Sequence, residues 1–473
     1  MNEIVGRIEE KQQFNELFQS KRSEFVTVYG RRRVGKTFLI REYYKQHITF
    51  HLTGLANATL PQQLLNFHTC MCTSFAKYKE PIPTSWFEAF QQLIKRIEKN
   101  KQKKQVIFLD ELPWLDTPKS YFISALEHFW NSFAVARKDI LLIVCGSTAS
   151  WMIHKLINNK GGLHNRITHR MKIYPFTLKE CDAYFKYKKI SFNRYQIIEL
   201  YSVMGGIPYY LDAIKKGKSA AQNIDAICFS EQGILKDEFT NLYASLFKHA
   251  ENYEAIVKTL SKKSKGLTRD EIIRAAKIQN GGGTTKILRD LEESGFIRKY
   301  RPFGKQYRES LYQLVDFYTL FYFNFIQAKK NTSTNFWINT LNSSLHKSWS
   351  GYAFEQVCLL HINQIKSALG ISGIITSEAS WRSHQKADGA QIDLVIDRND
   401  QVINLCEMKF SATEFIITKD YAKKLRNKIG LFSTETQTKK AINLAMITTY
   451  GVKENQYSQG LIQNNITMDC FFE

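Results

Sequence analysis

Short apolar runs alternate with amphipathic helical patterns along the first part of the chain, up to about residue 176. The runs at 25–29, 106–109 and 140–145 are almost continuously apolar, which is typical of strands that are buried on both faces. Strands that alternate with helices favour a parallel sheet with helices on its faces. The pattern therefore predicts an α/β fold for residues 1–176.

The first apolar run leads directly into a G-x-x-x-x-G-K-T segment, Gly30–Thr37, and then into a helical pattern. This spacing is typical of a phosphate-binding loop, whose backbone N–H groups close around a β-phosphate. Lys36 can reach the β- and γ-oxygens, and the hydroxyl of Thr37 can ligate Mg²⁺. A nucleoside triphosphate is the predicted ligand. The predicted binding residues are Gly30, Arg31, Arg32, Arg33, Val34, Gly35, Lys36, Thr37 and Phe38.

The second apolar run ends in Asp110 and Glu111. Open α/β sheets bind ligands at the carboxyl ends of their strands, so these carboxylates fall where a triphosphate would lie. Asp110 suits the Mg²⁺ shell, and Glu111 suits activation of the attacking water. Each motif alone is also compatible with a tight turn or a charged strand end. Together the two motifs predict an ATP-hydrolysing site.

The third apolar run ends at Gly146, Ser147 and Thr148. A hydroxyl at this strand end would lie near the γ-phosphate. The alternative is that Ser147 or Thr148 caps the following helix.

The balance of charged residues indicates a polyanionic partner. The chain of 473 residues carries 66 basic and 44 acidic side chains, a formal net charge of +22. Such an excess favours nucleic acid through counterion release. The alternative is that lysine-rich solvated faces serve solubility alone. The length itself predicts two to four domains.

The remaining composition favours a cytoplasmic protein that does not use the membrane. Among eight cysteines, Cys70 and Cys72 are the ones close in sequence, which gives no zinc or disulfide framework and favours reduced thiols. No apolar run approaches the length of a membrane helix, and the start of the sequence does not have the pattern of a signal peptide.

Six short motifs occur in an order that resembles a known family. The archaeal and bacterial AAA-type ATPases of the signal-transduction and origin-recognition-like group are similar over roughly the first 215 residues. The motifs are Val5-Gly6-Arg7, Gly30–Thr37, Phe108–Glu111, Gly146-Ser147, Tyr174–Phe176 and Gly205–Leu211.

This resemblance implies roles for particular positions. Val5, Gly6 and Arg7 match the segment that lies against the adenine, and Pro208 matches a proline that contacts the base or ribose from a helical lid. The lid and its connector are predicted over residues 177–249.

The resemblance also implies a polar sensor at Ser147 or Thr148. Arg166 falls where many relatives have an arginine that acts as a finger or as a sensor. The alternative is a surface guanidinium, because Arg170 and Lys172 make the surrounding segment basic. A finger acting in trans would need an oligomer.

Residues 250–315 predict three short helices and a hairpin, an order that resembles a winged helix. Thr268 and Glu271 form a capping-box pattern at one helix. The hairpin strands are predicted at 296–300 and 307–314, and a helix and linker follow at 316–344, with the clearest linker at 327–335. The domain either contacts DNA or packs as a rigid spacer. The cations available for DNA are Lys286, Arg289, Arg298, Lys299, Arg301, Lys305 and Arg308.

Residues 345–473 contain a second group of charged residues. A helix is predicted from Gly351, with Glu355 on it, and strands are predicted at 391–397 and 402–409. Glu407 and Lys409 are two apart on one strand and share a face, and Asp393 can lie beside them. Two carboxylates and a lysine suit metal-dependent phosphodiester cleavage, with Mg²⁺ on Asp393 and Glu407.

This arrangement resembles the restriction-endonuclease-like PD-(D/E)xK fold. The resemblance implies catalytic roles for Asp393, Glu407 and Lys409, with Glu355 as the helical acid. The alternative is a charged outer face on a half-buried sheet.

The sequence as a whole predicts a cytoplasmic enzyme that uses ATP and Mg²⁺. Its nucleotide state would control a C-terminal domain that binds nucleic acid, DNA rather than RNA, and cleaves it. Two alternatives stay open: a nucleotide-dependent regulatory scaffold, and a transcription regulator without nuclease activity. A homo-oligomer or a protein partner is compatible with either.

Overall fold

The structure, a computed structural model, describes residues 3–159, 161–327, 335–384 and 389–473. The chain divides into two compact units, Met1–Pro175 and Phe176–Glu473. The boundary predicted at 176 lies next to this division, and the boundaries predicted at 249, 315 and 344 lie inside the second unit. All four stay predictions. The predicted linker at 327–335 lies, apart from its two end residues, outside the described residues.

The first unit alternates strands and helices. Its strands are β1 (Glu24–Gly30), β2 (Ile48–Thr53), β3 (Gln105–Asp110), β4 (Ile140–Gly146) and β5 (His169–Ile173). Its helices are α1 (Ile8–Gln19), α2 (Lys36–Tyr43), α3 (Leu60–Ser74), α4 (Trp86–Lys99), α5 (Leu112–Leu115), α6 (Phe122–Ser132) and α7 (Ala149–Trp151), which continues as a π-helical turn over Met152–Ile157.

The strands of this unit form a parallel sheet in the order β2-β3-β4-β1-β5. Strands β3 and β4 are buried along their whole length, which explains their continuous apolar sequence. The predicted α/β fold with a parallel sheet is confirmed. Because β4 lies between β1 and β3, the carboxyl ends of these three strands meet at one edge of the sheet.

The core on one side of the sheet is rich in aromatic residues. Phe50, Trp86, Phe122 and Trp130 are almost completely buried there. At the end of β1, Gly30 has a φ of 144°, and a Cβ at this position would lie 2.3 Å from the carbonyl oxygen of Ile173. Glycine is therefore required where the chain leaves the sheet.

The second unit begins with helices and ends in a mixed α/β fold. Its helices are α8 (Leu178–Tyr187), α9 (Arg194–Met204), α10 (Pro208–Asp212), α11 (Ala220–Cys228), α12 (Glu238–Leu246), α13 (Ala250–Ser261), α14 (Arg269–Ala276), α15 (Gly282–Glu293), α16 (Phe317–Phe321), α17 (Phe336–Thr340), α18 (Ser344–Leu360), α19 (Ile362–Ala368) and α20 (Lys419–Thr436). Its strands are β6 (Ile297–Tyr300), β7 (Leu311–Leu314), β8 (Thr376–Arg382), β9 (Gln391–Arg398), β10 (Val402–Lys409), β11 (Phe415–Ile416), β12 (Ala441–Thr448), β13 (Val452–Lys453) and β14 (Asn464–Thr467).

Residues 250–315 form what we call the helix–hairpin module. Helices α13, α14 and α15 are followed by the antiparallel pair β6 and β7, and Leu267 bridges to Tyr312. The capping box of Thr268 and Glu271 opens α14, as the sequence predicts. The order of elements is the one predicted for a winged helix, and that classification stays a prediction.

Residues 345–473 form what we call the C-terminal α/β fold. Its sheet has the order β14-β12-β10-β9-β8, with β8, β9 and β10 antiparallel and β10, β12 and β14 parallel. Buried residues of α20, including Leu425 and Phe432, pack on the sheet residues Val395 and Met446.

The start of α18 corrects the sequence prediction. The helix begins at Ser344 instead of Gly351, because the hydroxyl of Ser343 accepts a hydrogen bond from the backbone N–H of His346 at 3.2 Å. A serine that caps the first turn is a stronger signal for the start of a helix than a glycine within the helical pattern.

The helix–hairpin module is joined to the C-terminal α/β fold at the tip of its hairpin. The backbone N–H of Phe303 donates to the carbonyl oxygen of Ser380 at 2.7 Å. The ring of Phe303 lies 5.2 Å from that of Phe432, which in turn contacts Trp381.

None of the helices in the described residues combines the length and the apolar character that a membrane span requires.

Candidate functional site

The loop between β1 and α2 makes a tight, locally left-handed path. Arg33 has a φ of 70° and Gly35 a φ of 87°. The carbonyl oxygen of Gly35 then accepts the first helical hydrogen bond, from the N–H of Leu39 at 2.9 Å. The chain therefore turns from strand to helix at the position where a phosphate-binding loop is predicted, with the amino end of α2 directed at the same edge of the sheet.

Lys36 lies folded over this loop. Its ammonium group donates to the carbonyl oxygens of Gly30 at 3.0 Å and of Arg31 at 2.8 Å, and the side chain is only 5% exposed. Burial lowers the pKa of Lys36, and the nearby carboxylates of Glu111 and Asp110 oppose that effect. The cation is thus held beside the loop by neutral oxygens, which phosphate oxygens can replace.

Thr37 and Asp110 connect the loop to the end of β3. The Thr37 hydroxyl donates to Oδ2 of Asp110 at 2.8 Å, and Oδ1 of Asp110 accepts from the N–H of Glu111 at 2.9 Å. A hydroxyl beside a carboxylate is a donor set of hard oxygens that suits Mg²⁺. The two residues predicted to bind Mg²⁺ from distant segments are therefore neighbours.

Glu111 is held by the end of β4. Its Oε2 accepts from the hydroxyl of Ser147 at 2.9 Å and from the backbone N–H of Ser147 at 3.2 Å. Burial raises the pKa of Glu111, and the adjacent Asp110 adds to this. A fixed carboxylate with a raised pKa is suited to accept a proton from water near neutral pH. Ser147 is a positioning residue for that carboxylate.

Arg7 supports the loop itself. Its guanidinium donates to the carbonyl oxygen of Val34 at 3.1 Å and pairs with Glu10 at 3.2 Å. The adjacent Val5 and Gly6 are half-buried. The sequence predicted this segment at the adenine, and that role stays a prediction, but the contact with Val34 gives Arg7 a structural role that the sequence did not indicate.

The remaining predicted residues vary in exposure. Within the loop Arg31 is buried, Arg32 is half-buried, and Phe38 on α2 is 36% exposed. Arg166 lies exposed in a turn before β5. Pro208 is the first residue of α10 in the second unit. The roles predicted for Arg166 and Pro208 stay predictions.

Comparison with known proteins identifies the chemistry of the first part of the chain. Residues 4–214 match the model of a family described as an ATPase domain predominantly from Archaea. Residues 4–214 form a P-loop ATPase domain. The predicted ATP hydrolysis is thereby confirmed, and the matched span agrees with the roughly 215 residues over which the motifs resemble AAA-type ATPases.

The ATPase is also similar to individual proteins. An uncharacterized protein of Methanocaldococcus jannaschii is 24% identical over 419 residues, which cover 86% of this chain and 87% of that protein. A Walker-type ATPase of Pyrococcus abyssi has a similar fold, with a TM-score of 0.51 and 16% identity over 68% of this chain and 96% of that chain. The ORC2 protein of Aeropyrum pernix matches at a TM-score of 0.41 and 14% identity, over 70% of this chain and 97% of that chain.

The C-terminal α/β fold of the ATPase contains what we call the carboxylate–lysine cluster: Glu355, Asp393, Glu407 and Lys409. Strand β9 pairs with β10 up to Leu394 and Cys406, so that Asp393 and Glu407 are the next residues along the two adjacent strands. The Lys409 ammonium lies 3.1 Å from Oε1 of Glu407. The sequence predicted that these side chains lie together, and the sheet register accounts for it.

Glu407 has further partners that the sequence did not reveal. Lys428 donates to its Oε2 at 2.7 Å, and the hydroxyl of Tyr421 donates to its Oε1 at 2.6 Å. Burial alone would raise the pKa of Glu407, which is 7% exposed, but the two lysines and these hydrogen bonds lower it overall. Tyr421 and Lys428 are seven residues apart on α20, a spacing that places them on one face and is a weak signal in an otherwise lysine-rich helix.

Glu355 lies at the other side of the cluster. Burial, together with the charge of Asp393, raises the pKa of Glu355 to about 8. In the described part of the chain, no three of these carboxylates bring their oxygens within 4.8 Å of one another. The sequence places a metal on Asp393 and Glu407, and that role stays a prediction.

Proposed function

We propose that the ATPase uses Mg²⁺ and that the edge formed by β1, β3 and β4 is its catalytic site. The observation that carries this proposal is the 2.8 Å hydrogen bond between Thr37 and Asp110, which joins the loop to the carboxylate strand. Mg²⁺ bound there would neutralise charge on the triphosphate oxygens.

In this proposal each residue acts through the contacts described. Lys36 exchanges its two carbonyl partners for phosphate oxygens, because a charge-assisted bond to phosphate is stronger than one to a neutral carbonyl. Glu111 accepts a proton from the attacking water, and Ser147 keeps the Glu111 carboxylate in place.

Steady-state ATP hydrolysis with and without Mg²⁺ tests the proposal. Lys36→Ala is expected to lower turnover about a hundredfold or more, since it removes a cation from the phosphates. Lys45→Ala is the matched control, because Lys45 is an exposed lysine just after α2. Equal turnover in the two variants, or turnover that is unaffected by chelating Mg²⁺, would contradict the site.

We also propose that the C-terminal α/β fold acts on nucleic acid, with Asp393, Glu407 and Lys409 as a PD-(D/E)xK-type hydrolytic site under control of the ATPase. The contact between Lys409 and Glu407, on the strand beside Asp393, supports this proposal. The net charge of +22 supports a polyanionic partner, with DNA preferred to RNA. Activity is proposed to be cytoplasmic, since the spacing of the eight cysteines, of which Cys70 and Cys72 are the ones close in sequence, favours reduced thiols.

Cleavage of end-labelled duplex and single-stranded DNA, with Mg²⁺ and with or without ATP, tests this second part. Glu407→Ala is expected to abolish cleavage. Asp397→Ala is the control, because Asp397 lies on β9 and pairs with Lys440 outside the cluster. Equal cleavage with and without ATP would contradict regulation of the cleavage by nucleotide. Cleavage of an RNA strand of the same sequence tests the preference for DNA.

A regulatory scaffold or transcription regulator is the alternative for the C-terminal fold. Two lysines and a tyrosine surround Glu407, which is also how a purely structural carboxylate is stabilised. Absence of cleavage by a protein that hydrolyses ATP normally would favour this alternative.

A further inference from the structure

A cavity of about 560 Å³ lies between the helix–hairpin module and the C-terminal α/β fold. Lys265 and Arg298 line it from the module, and Tyr352, Glu355 and Asp393 line it from the fold. Two members of the carboxylate–lysine cluster thus form part of its wall. The cavity is a feature of the second unit that neither the ATPase site nor the resemblance to a nuclease fold accounts for.

The lining of this cavity favours an anion. Five basic side chains and three acidic ones face it. Arg298 is held in place by Gln313, whose Oε1 accepts from its Nε at 2.7 Å. Lys265 is exposed at the cavity, and the charge of Asp393 acts on it, so this lysine lies close to the cluster. Cations at such a place can form charge-assisted hydrogen bonds to phosphate oxygens.

Two residues that line the cavity, Tyr352 and Gln391, carry polar atoms that indicate where a ligand would bind. The hydroxyl of Tyr352 and Oε1 of Gln391 are buried, and neither has a hydrogen-bond partner among the described residues. The amide nitrogen of Gln391 donates to Asp393, which fixes the direction of its oxygen. Buried groups without partners are rare, so a ligand is expected to satisfy them. It would offer an acceptor to the Tyr352 hydroxyl and a donor to the Gln391 oxygen.

The size of the cavity restricts that ligand. A volume of about 560 Å³ is typical of sites for small molecules and cofactors. A DNA duplex does not fit into such a volume, because its major groove alone is roughly 12 Å wide. The contact of Phe303 with Ser380 and Phe432 holds the module against the fold, so a continuous duplex could not enter without breaking it.

We propose that this cavity binds a nucleoside phosphate at the end of a single DNA strand. Arg298 and Lys265 bind the phosphate, the Tyr352 hydroxyl donates to a phosphate oxygen, and the Gln391 oxygen accepts from the base or sugar. The inference rests on the proposed function in one respect: the adjacent Asp393 and Glu407 would then act at strand ends. A free nucleotide offers the same chemistry, and the experiment separates the two sources.

The test measures binding of a fluorescent single-stranded oligonucleotide to the full chain in EDTA, where a metal-dependent site cannot cut. A linear strand with a 5′-phosphate is compared with a circular strand of the same sequence. Tighter binding of the linear strand, by about tenfold, is expected from the charged contacts at its end. Equal binding of the linear and circular strands would overturn the proposal. Binding of thymidine 5′-monophosphate without binding of the linear strand would also overturn it, because the ligand would then be a free nucleotide.

Matched variants locate the binding in the cavity. Arg298→Gln is expected to weaken binding of the linear strand about tenfold, whereas Arg426→Gln, at an exposed arginine of α20 that does not line the cavity, is expected to change it less than about twofold. Tyr352→Phe removes only the hydroxyl without a partner, so it is expected to weaken binding about fivefold and to leave the unfolding temperature unchanged. Unchanged binding in Arg298→Gln and Tyr352→Phe would contradict the proposal.

Failure of this inference and failure of the proposed nuclease are distinguishable. If the chain cleaves nothing but still prefers the linear strand in a way that depends on Tyr352, the inference stands and the nuclease does not. If the chain cuts circular strands as fast as linear ones, the nuclease stands and the inference is overturned.

Discussion

The two candidate sites of this ATPase each centre on a buried glutamate, and they stabilise it in opposite ways. Glu111 accepts hydrogen bonds from the hydroxyl and backbone N–H of Ser147, and its pKa is raised. Glu407 lies between two ammonium groups and a phenol, and its pKa is lowered. Burial and the adjacent Asp110 raise the pKa of Glu111 despite the hydrogen bonds from Ser147, whereas the two lysines keep Glu407 ionised. The first arrangement suits a general base, and the second suits a metal ligand or a structural ion pair.

The largest expected effect concerns the glutamate held by neutral donors. Glu111→Gln keeps the size of the side chain but cannot accept a proton, so we expect ATP turnover to fall about a hundredfold while ATP affinity stays close to wild type. Turnover and equilibrium binding of ATP, measured on the same preparation, check this.

Ser147→Ala provides the graded control for that variant. It removes the hydroxyl that positions Glu111, so a smaller loss of about tenfold is expected, with partial rescue by Ser147→Thr. Wild-type turnover in Glu111→Gln would mean that this carboxylate is not the general base. The proposed difference in role between Glu111 and Glu407 would then be contradicted.

The glutamate held by cations is expected to affect stability. Glu407→Gln leaves Lys409 and Lys428 without a charged partner, so the free energy of unfolding should fall by about 1–3 kcal/mol. Because the pKa of Glu407 is lowered in the folded protein, its contribution is present above the unfolded pKa and is lost as the pH falls through the folded pKa. Thermal unfolding at neutral and acidic pH measures both effects.

Asp397→Asn is the control for Glu407→Gln. Its pair with Lys440 is more exposed, so a loss below about 1 kcal/mol is expected. Equal losses in the two variants would show that the cations around Glu407 contribute no more than an ordinary surface pair.

The last expected effect is a pH dependence of stability at Glu355. Its folded pKa of about 8 lies above the ordinary value of 4.5, so the folded state retains a proton that the unfolded state has lost. The free energy of unfolding should therefore fall as the pH rises from about 4.5 to about 8. Glu355→Gln should reduce this slope, which unfolding temperatures across that pH range would show. An identical slope in the variant would place the titrating group elsewhere.

A site can be predicted from the sequence when its residues lie in contiguous motifs along the chain. The ATPase site could be predicted because Lys36, Thr37, Asp110 and Glu111 lie in contiguous motifs at the ends of apolar runs. The register between β9 and β10 likewise follows from a short hairpin, so Asp393 and Glu407 could be paired from the pattern.

The residues that the sequence missed come from elements with no local signal. Lys428 lies on α20, and its contact with Glu407 depends on how that helix packs on the sheet. Arg298 was predicted among the cations available to DNA, and it lines the cavity beside Asp393 because the hairpin tip is anchored to the C-terminal fold. Arg7 contacts Val34 across 27 positions in sequence, which no periodicity encodes.

The hairpin tip also determines where this chain can be divided. Phe303 covers Phe432 and packs on the apolar cluster that includes Trp381. A fragment that starts at residue 345 would therefore expose an apolar patch to solvent. Such a fragment is expected to aggregate. A fragment that starts near residue 250 keeps this cover but loses α9, whose Tyr195 stacks on Phe410 and whose Tyr201 contacts His361. The whole second unit, Phe176–Glu473, is therefore the C-terminal piece that we expect to be soluble when made alone.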